Sequence, residues 1–382
     1  MTANGMRALV KTVTAYLLYP FCGARTVGQL LGIIPYVPFP SESVARESFS
    51  PPHVFTDSSH DLWPPTFWDR PTPSKVTRHQ VLKISRGQAD QHGAVFDSTG
   101  RPIVEACHPL KQRWKYRWRN VRDGVRVGYM KDERQPQRYV GRVGVLTSSN
   151  QHIYSHWLLD ILPRIAKLEE HHHPVDFYFL QQSHSFQIET IQHLNLNQDA
   201  SMIDCAEVPW ITGDELVVPC HQIMFGYHHP HWACQWLREK FLPVGGMPVK
   251  QKRKVYISRS LARRRKIINE LGLWSFLSDE GFEIYILEQL SFLEQVRLFQ
   301  EAEIVVSPHG SGLANLVFCS PGTKVLELFP ARATDAYFRL CVDMQLDYQC
   351  LKTRDHSPRP RVSDNFSINV EDVKDVLDAM CS

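Results

Sequence analysis

Residues 282–329, FEIYILEQLSFLEQVRLFQEAEIVVSPHGSGLANLVFCSPGTKVLELF, alternate short apolar runs with an amphipathic segment. The runs FEIYIL, EIVVS and KVLELF are rich in β-branched and aromatic residues, as expected for buried strands. Between the first two, SFLEQVRLFQEA opens with a serine followed three residues later by glutamate, and this capping box predicts a helix starting near Ser291. Such alternation of strands and helices predicts a parallel sheet with crossover helices.

The same alternation continues on both sides of this stretch. Upstream, KVYIS predicts a further strand, and NELGLWSFLSDEG predicts a helix with an asparagine cap and a glycine at its end. Downstream, NVEDVKDVLDAMC carries apolar residues on one face and predicts a closing helix within residues 366–382. We therefore predict an α/β fold in which residues 250–365 form a doubly wound, Rossmann-like domain.

The first part of the chain predicts a second unit of the same class. A chain of 382 residues is longer than one hydrophobic core usually supports. Short alternating strands between residues 76 and 150, followed by the buried strand VDFYFLQ, predict an N-terminal Rossmann-like domain over residues 76–245. The segment LPVGGMPVKQK predicts the linker between the domains. Residues 1–75 are rich in proline and predict a partly irregular arm.

Ligands of open parallel sheets bind outside the carboxyl ends of the strands, so the residues that follow the strands are site candidates. The predicted strands bring a basic loop at Arg259, the carboxylates of Glu288 and Glu327, and the turn SPHGSG to one common edge. This convergence favours a binding site more strongly than any one of the motifs does alone.

The turn SPHGSGLAN, residues 307–315, suits an anion. Gly310 and Gly312 allow the backbone to approach a ligand closely, and the amides that open the helix at Leu313 offer unpaired N–H groups. The alternative is a plain helix-opening turn whose glycines serve packing. Arg259 favours the anion site, because a guanidinium group binds phosphate in a bidentate manner.

Arginines and carboxylates flank that turn. The run KQKRKVYISRSLARRRK supplies Arg264 and Arg265 as further phosphate ligands, with its remaining basic residues solvated. A solvated helix face and a nucleic-acid patch are the alternative interpretations of this run. Glu288 and Glu327 are expected to accept hydrogen bonds from ribose hydroxyls, as acidic residues do in dinucleotide folds, although an exposed position suits Glu288 equally well.

One dense polar segment, SSNQHIYSHWLLDILPR, lies in the first half of the chain. His152, His156, Asp160 and Arg164 recur every four residues, and a helix would align them on one face. His156 and Asp160 then form a candidate acid–base pair. A metal pair is one alternative, although no HExxH glutamate or further ligand is identifiable, and a structural histidine bonded to the backbone is another.

Composition and targeting signals narrow the protein class. Nine cysteines without any CxxC spacing favour reduced thiols in a cytoplasmic protein over disulfides or a zinc site. A net charge of +3 does not by itself predict nucleic-acid binding. Proline, glycine and charged residues interrupt the apolar runs near the N-terminus, which argues against a membrane span or signal peptide and allows only peripheral membrane contact through the arm.

Several of these segments occur together in one known family. YSHWLLDILPRIAKL, KVYISRSLARRRKIINE, the opening stretch and the trailing YFRLCVDMQLDY resemble, in this order, the family 61 glycosyltransferases. Relatives include plant xylan arabinosyl- and xylosyltransferases, the EGF-domain-specific O-linked GlcNAc transferase and bacterial proteins of capsular polysaccharide synthesis. The resemblance implies a GT-B-like architecture, with two Rossmann-like domains facing across a cleft, and inverting transfer from a nucleotide sugar, UDP-linked, to a hydroxyl of a glycan.

The resemblance also implies roles for particular residues. The family's HW–acid segment falls on His156, Trp157 and Asp160, and we expect Asp160 to be the base with His156 as its partner or substitute. Ser311 stands where alanine is commoner in the family, and His309 is expected to contact phosphate. Position by position, the resemblance carries the nucleotide-sugar site onto Arg259, His309, Gly310, Gly312, Asn315 and Glu327.

The sequence contains no Asp-x-Asp pair that would hold a divalent ion against a diphosphate. We therefore predict that arginines and backbone amides neutralise the leaving group, without a metal or further cofactor. A nucleotide-sugar epimerase on the same fold and a non-catalytic carbohydrate-binding protein are the competing functions. An RNA-binding protein would rest on the basic run alone.

Overall fold

The structure is a computed structural model. The residues it describes are 44–49, 79–100, 103, 106, 135–170, 174–196, 199–220, 230–243, 253–330, 336–353 and 364–381. The predicted arm, except for residues 44–49, and the predicted linker after residue 243 lie outside them.

The first half forms an eight-stranded sheet that is mixed rather than purely parallel. Its central strands β8, β5, β6 and β7 are parallel, whereas β1, β2 and the β3–β4 hairpin are antiparallel additions. The Rossmann-like prediction therefore fits only the central part of this sheet. The strands are β1 Val44–Phe49, β2 His79–Ser85, β3 Gln88–Asp90, β4 Val95–Phe96, β5 Gln137–Val145, β6 Phe177–Leu180, β7 Ser201–Asp204 and β8 Trp210–Pro219.

Three helices cover one face of the first sheet. The helix α1 continues through Pro163 because its middle turn, Trp157–Ile161, widens to π geometry. A proline ring clashes with the carbonyl four residues earlier in a regular α-helix, and a wider turn relieves that clash. The helices are α1, built from Tyr154–His156, Trp157–Ile161 and Leu162–Glu170, then α2 Ser185–Leu194 and α3 His231–Phe241.

The second half forms a five-stranded sheet in which every pair is parallel, in the order β10-β9-β11-β12-β13. Short 3₁₀ helices span Leu287–Gln289 and Ser311–Phe318. The strands are β9 Arg253–Ile257, β10 Glu283–Tyr285, β11 Ala302–Pro308, β12 Lys324–Phe329 and β13 Asp347–Lys352, and the helices are α4 Glu270–Asp279, α5 Phe292–Glu301, α6 Ala336–Asp343 and α7 Val370–Cys381.

Both faces of the second sheet are buried. Val255 points into one core cluster and its neighbour Tyr256 into another, as the two-residue period of a strand requires. The helix α5 packs on the first face, whereas α4 and α7 pack on the second. From β9 the chain passes to β10 on one side of β9 and then to β11 on its other side. The crevice at the carboxyl ends of β9 and β11, where the strand order switches, is where such sheets bind ligands.

The two halves share one hydrophobic core. The largest cluster of buried apolar residues includes Trp157 and Leu237 from the first half together with Phe292 and Phe318 from the second. Polar contacts cross the same boundary, since the Arg238 guanidinium donates to the carbonyl oxygens of Val317 and Cys319 at 2.8 and 2.7 Å.

The predicted α/β class is confirmed, and the closing helix begins at Val370. The GT-B arrangement, its cleft and the domain bounds stay predictions. None of the helices among the described residues has the length and apolar character that crossing a membrane requires.

Candidate functional site

The strands β9 and β11 place Arg259 and the glycine turn side by side at the crevice of the second sheet. A Cβ atom added to Gly310 would lie 1.8 Å from Nη1 of Arg259 and 2.6 Å from its Cζ. The backbone of Gly310 is extended, with φ −175°, so this residue is glycine to admit the guanidinium group rather than to adopt an unusual dihedral angle. The turn is therefore a cradle for Arg259.

Arg259 is a half-buried cation with an unsatisfied donor. Its Nε is buried and has no hydrogen-bond partner among the described residues, while one Nη2–H donates to the carbonyl of Arg264 at 3.2 Å. Burial lowers the pKa of the Arg259 guanidinium, the neighbouring charge of Arg265 lowers it further, and Glu288 opposes the shift. A guanidinium group that has a buried, unpaired N–H and lies next to a second cation favours the binding of an anion.

The other residues predicted at this edge of the sheet differ in their exposure and in their contacts with Arg259. Arg264 is exposed and contributes its carbonyl oxygen to Arg259. Arg265 has φ +60°, a left-handed conformation that is uncommon for a long side chain and is found preferentially at functional sites. Glu288 is exposed on the 3₁₀ helix after β10 and interacts electrostatically with Arg259.

His309 and Glu327 form a buried pair. The Nδ1 atom of His309 lies 2.5 Å from Oε1 of Glu327, and the Tyr348 hydroxyl donates to Oε2 of the same carboxylate at 2.7 Å. The imidazole stacks on Phe329, with centroids 5.0 Å apart, and packs against Tyr337 at 5.4 Å. This packing fixes the ring and leaves Nε2 as the nitrogen that can meet a ligand.

Glu327 itself is fully buried, and both carboxylate oxygens are bonded within the protein. The predicted direct contact of Glu327 with ribose hydroxyls is therefore not supported by this placement. Burial raises the pKa of Tyr348 and the charge of Glu327 raises it further, so the phenol stays protonated and keeps donating. Glu327 orients the imidazole instead.

Asn315 and Gly312 both contact other parts of the protein. Asn315 is fully buried and donates from Nδ2 to Gln295 Oε1 at 3.0 Å. A Cβ atom on Gly312 would meet Cδ1 of Leu287 at 2.6 Å, so this glycine serves packing, as the plain-turn interpretation holds. Ser311, half-buried, opens the 3₁₀ helix, whose first amides have no acceptor within the helix.

The polar segment of the first half reaches this turn directly. The Tyr154 hydroxyl donates to Oδ1 of Asn315 at 2.6 Å, and Ser155 shares a hydrogen bond with the hydroxyl of Tyr337. Tyr337 in turn packs against the His309 ring. The start of α1 is thereby held against the glycine turn, two residues before His156.

Removing the Tyr154 hydroxyl tests this tie between the halves. Tyr154→Phe leaves a buried Asn315 oxygen without its donor, which should lower the free energy of unfolding by about 1–3 kcal/mol. Denaturant unfolding of Tyr154→Phe, Asn315→Ala and the double variant measures the coupling. We expect clear non-additivity in this cycle and a near-silent Tyr139→Phe control; additive losses would mean that the contact contributes nothing.

His156 and Asp160 form the second His–carboxylate pair of the site. Nδ1 of His156 lies 2.5 Å from Oδ2 of Asp160, and both side chains are partly exposed, at 21% and 13%. The pair spans the π turn of α1. Since such turns are frequent at functional sites, the predicted acid–base pair has a geometry compatible with chemistry.

Arg164 does not belong with them. It is buried, and it donates to the carbonyl oxygens of Pro219, Leu146 and Val145 at 2.8, 3.0 and 2.8 Å. It therefore satisfies strand ends of the first sheet. The predicted alignment of four residues on one helix face fails, because α1 begins only after His152 and its π turn shifts the register.

Sequence reasoning missed the tyrosines of the site. Tyr337 and Tyr348 are the first and last residues of YFRLCVDMQLDY, the trailing motif of the family resemblance, and both contact the His309–Glu327 pair. Tyr154 stands at the head of another quoted motif. Within the described part of the chain, no group of three or more His, Cys, Asp or Glu side chains is arranged to hold a metal ion.

Comparison with known proteins gives this geometry a context. Residues 154–326 match the family model described as Glycosyltransferase 61. The match begins at Tyr154 and includes every predicted site residue except Glu327, which follows its last position. Residues 154–326 form a glycosyltransferase family 61 region. The resemblance seen in the sequence motifs is thereby confirmed.

A plant xylosyltransferase is similar to part of this chain. The chain is 38% identical over 55 residues to beta-1,2-xylosyltransferase RCN11 of Oryza sativa subsp. japonica. That alignment covers 14% of this chain and 10% of the relative, so the chain spans about a tenth of the rice protein's length.

Proposed function

We propose that this protein is an inverting glycosyltransferase that moves a sugar from a nucleotide-sugar donor, UDP-linked, to a hydroxyl of a glycan. The observation that carries the proposal is the combination of two His–carboxylate pairs with the Arg259 cradle, all of which except Glu327 lie within the residues that match family 61. The proposal keeps the GT-B arrangement, with the acceptor on the first half and the donor on the second, and extends to synthesis of surface polysaccharides.

The donor diphosphate would bind at Arg259. This guanidinium group has an unsatisfied buried N–H, stands beside Arg265, and lies over Gly310 at the start of the 3₁₀ helix. The amides of Ser311 and Gly312 add donors with the positive end of the helix dipole. Charge that develops on the departing diphosphate is then neutralised by fixed donors, which is how a site can work without a metal ion.

His309 would assist the departure of the diphosphate. The Glu327 carboxylate fixes Nδ1 as a proton donor, so the imidazole presents Nε2 to the ligand. When doubly protonated, His309 can donate a hydrogen bond from Nε2 to a phosphate oxygen, and the buried carboxylate balances its charge. Tyr348 holds that carboxylate from the other side.

His156 would be the base that deprotonates the acceptor hydroxyl. Asp160 was the expected base, but its Oδ2 is bonded to Nδ1 of His156, and its side chain is the less exposed of the two. We therefore assign Asp160 to orienting the imidazole and His156 Nε2 to accepting the proton. Attack of the resulting oxygen on the anomeric carbon, from the side opposite the diphosphate, breaks the sugar–phosphate bond with inversion.

A thermal-shift screen against UDP, GDP, CMP and dTDP sugars, with and without a chelator, tests the donor site. A ligand at about 100 times its Kd stabilises by about 2.7 kcal/mol, so we expect UDP sugars to raise Tm by a few degrees. UDP-xylose belongs in the screen because the named relative is a xylosyltransferase. We expect the shift to survive chelation, whereas a shift that requires Mg²⁺ or Mn²⁺ would overturn metal independence.

The reaction itself is tested by product analysis with the donor found in that screen. Transfer to an oligosaccharide with the opposite anomeric configuration supports the proposal. Free, epimerised nucleotide sugar would instead identify an epimerase, and binding without turnover would identify a carbohydrate-binding protein. Absence of any shift with all four nucleotide classes would remove the donor site from consideration.

A further inference from the structure

We propose that the loop after β9 and the first turn of α4, residues 261–271, bind the surface of an anionic membrane. This surface is distinct from the N-terminal arm that the sequence suggested for membrane contact. The inference does not depend on the proposed reaction, because it rests on exposed side chains outside the two His–carboxylate pairs.

Exposed apolar side chains are concentrated there. Leu261, Ile268 and Leu271 are 60%, 71% and 78% exposed, and they make up three of the six large, exposed apolar side chains in the described part of the chain. Single exposed apolar residues need no explanation, but three within eleven residues mark an interaction surface.

Basic side chains are interleaved with these apolar ones. Arg263 and Arg264 are exposed, and Lys266 is half-buried. Asp364 is the acidic residue of the segment that pairs with this loop, where Lys266 N donates to Asn365 Oδ1 at 3.0 Å. Glu270, in the first turn of α4, is buried and accepts from the Tyr256 hydroxyl at 2.8 Å, so the exposed charges of residues 261–271 are basic.

Charge along α4 gives the surface a direction. Leu271 stands in its first turn and Ile268 just before its cap residue Asn269, whereas the exposed Asp279 and Glu280 stand at its far end, about 15 Å away at 1.5 Å per residue. An anionic surface would attract the basic loop that precedes α4 and repel the last turn of the helix, so the helix would meet the membrane by its N-terminal end.

The combination of exposed apolar and basic side chains favours an anionic lipid surface as the partner. A soluble polyanion such as RNA requires only the arginines, and it would leave three large apolar side chains in water. An anionic lipid surface accommodates both, because leucine and isoleucine enter the headgroup boundary while arginine contacts phosphate. The loop also carries the Arg264 carbonyl that accepts from Arg259, so membrane binding would bring the arginine cradle to the lipid surface.

Vesicle sedimentation of the full chain tests this inference. We expect binding to mixed phosphatidylcholine–phosphatidylglycerol vesicles and little binding to phosphatidylcholine alone. Replacing Leu261, Ile268 and Leu271 together with serine should weaken the partition coefficient by more than about tenfold. Arg263→Gln should weaken it about fivefold, the contribution of one basic residue near such a surface.

A matched control variant distinguishes binding through this surface from non-specific binding to vesicles. Val140 is 75% exposed on the first sheet, and Val140→Thr should bind vesicles like the parent chain. Unchanged Tm values for the serine variant would show that its folding is intact. Equal binding to both vesicle types, no binding to either, or full binding by the serine variant would each overturn the proposal. The proposal would also be overturned if polyphosphate removed vesicle binding by the parent chain while the serine variant still bound vesicles.

Discussion

Gly310→Ala is expected to lower kcat/KM and the affinity for the nucleotide by about 100- to 1000-fold, nearly as much as Arg259→Ala does. The added methyl group would occupy the position of the Arg259 guanidinium, 1.8 Å from Nη1, and would push that group out of its cradle. Because the backbone of Gly310 is extended, alanine can adopt it, and the fold should survive. Calorimetric Kd values for UDP, with initial rates, measure the effect.

Two variants sharpen that experiment. Arg259→Lys retains the charge but loses the planar fork, so its affinity should fall between those of the parent chain and Arg259→Ala. Arg297→Ala removes an exposed arginine of the same half, 79% exposed and paired with Glu301, and should leave Kd unchanged. Normal UDP binding by Gly310→Ala would show that the cradle has no part in the donor site.

His156→Ala is expected to reduce kcat by about 100- to 10,000-fold while the Kd for UDP stays the same. The loss of the base affects the step in which the acceptor hydroxyl is deprotonated, whereas the donor is held by the other half. Asp160→Asn should give a smaller loss, because the imidazole remains but is no longer oriented by a carboxylate.

His152→Ala is the matched control for that series, since it removes an exposed histidine that precedes α1 and should retain full activity. Full kcat in His156→Ala, together with loss in His309→Ala at unchanged donor affinity, would move the base to the second His–carboxylate pair. Parallel loss of kcat and UDP affinity in His156→Ala would instead indicate a structural role.

The convergence of strand ends could be predicted from the sequence, because apolar periodicity locates strands and parallel strands share one carboxyl edge. This placed Arg259 and His309 correctly just after the ends of two neighbouring strands, β9 and β11. The pairing of His156 with Asp160 was predictable for the same kind of reason, since residues four apart lie close together on a helix.

The direction in which polar side chains point could not be predicted. Asn315 and Glu327 occupy motif positions, yet both are buried and bonded within the protein. Their partners Tyr154 and Tyr348 are distant in sequence, and a spacing rule carries no information about them. Arg164 fits the four-residue period as well as Asp160 does, but its guanidinium group serves strand ends instead.

The core shared by the two halves has a consequence for cooperativity. The helices α1 and α3 cover the first sheet with one face and contact the second half with the other, so separating the halves would expose apolar area on both. Opening at this boundary would therefore expose apolar area to water and cost free energy. The two sheets should melt in a single transition, and substrates should enter through movement of loops rather than by the swinging apart of domains.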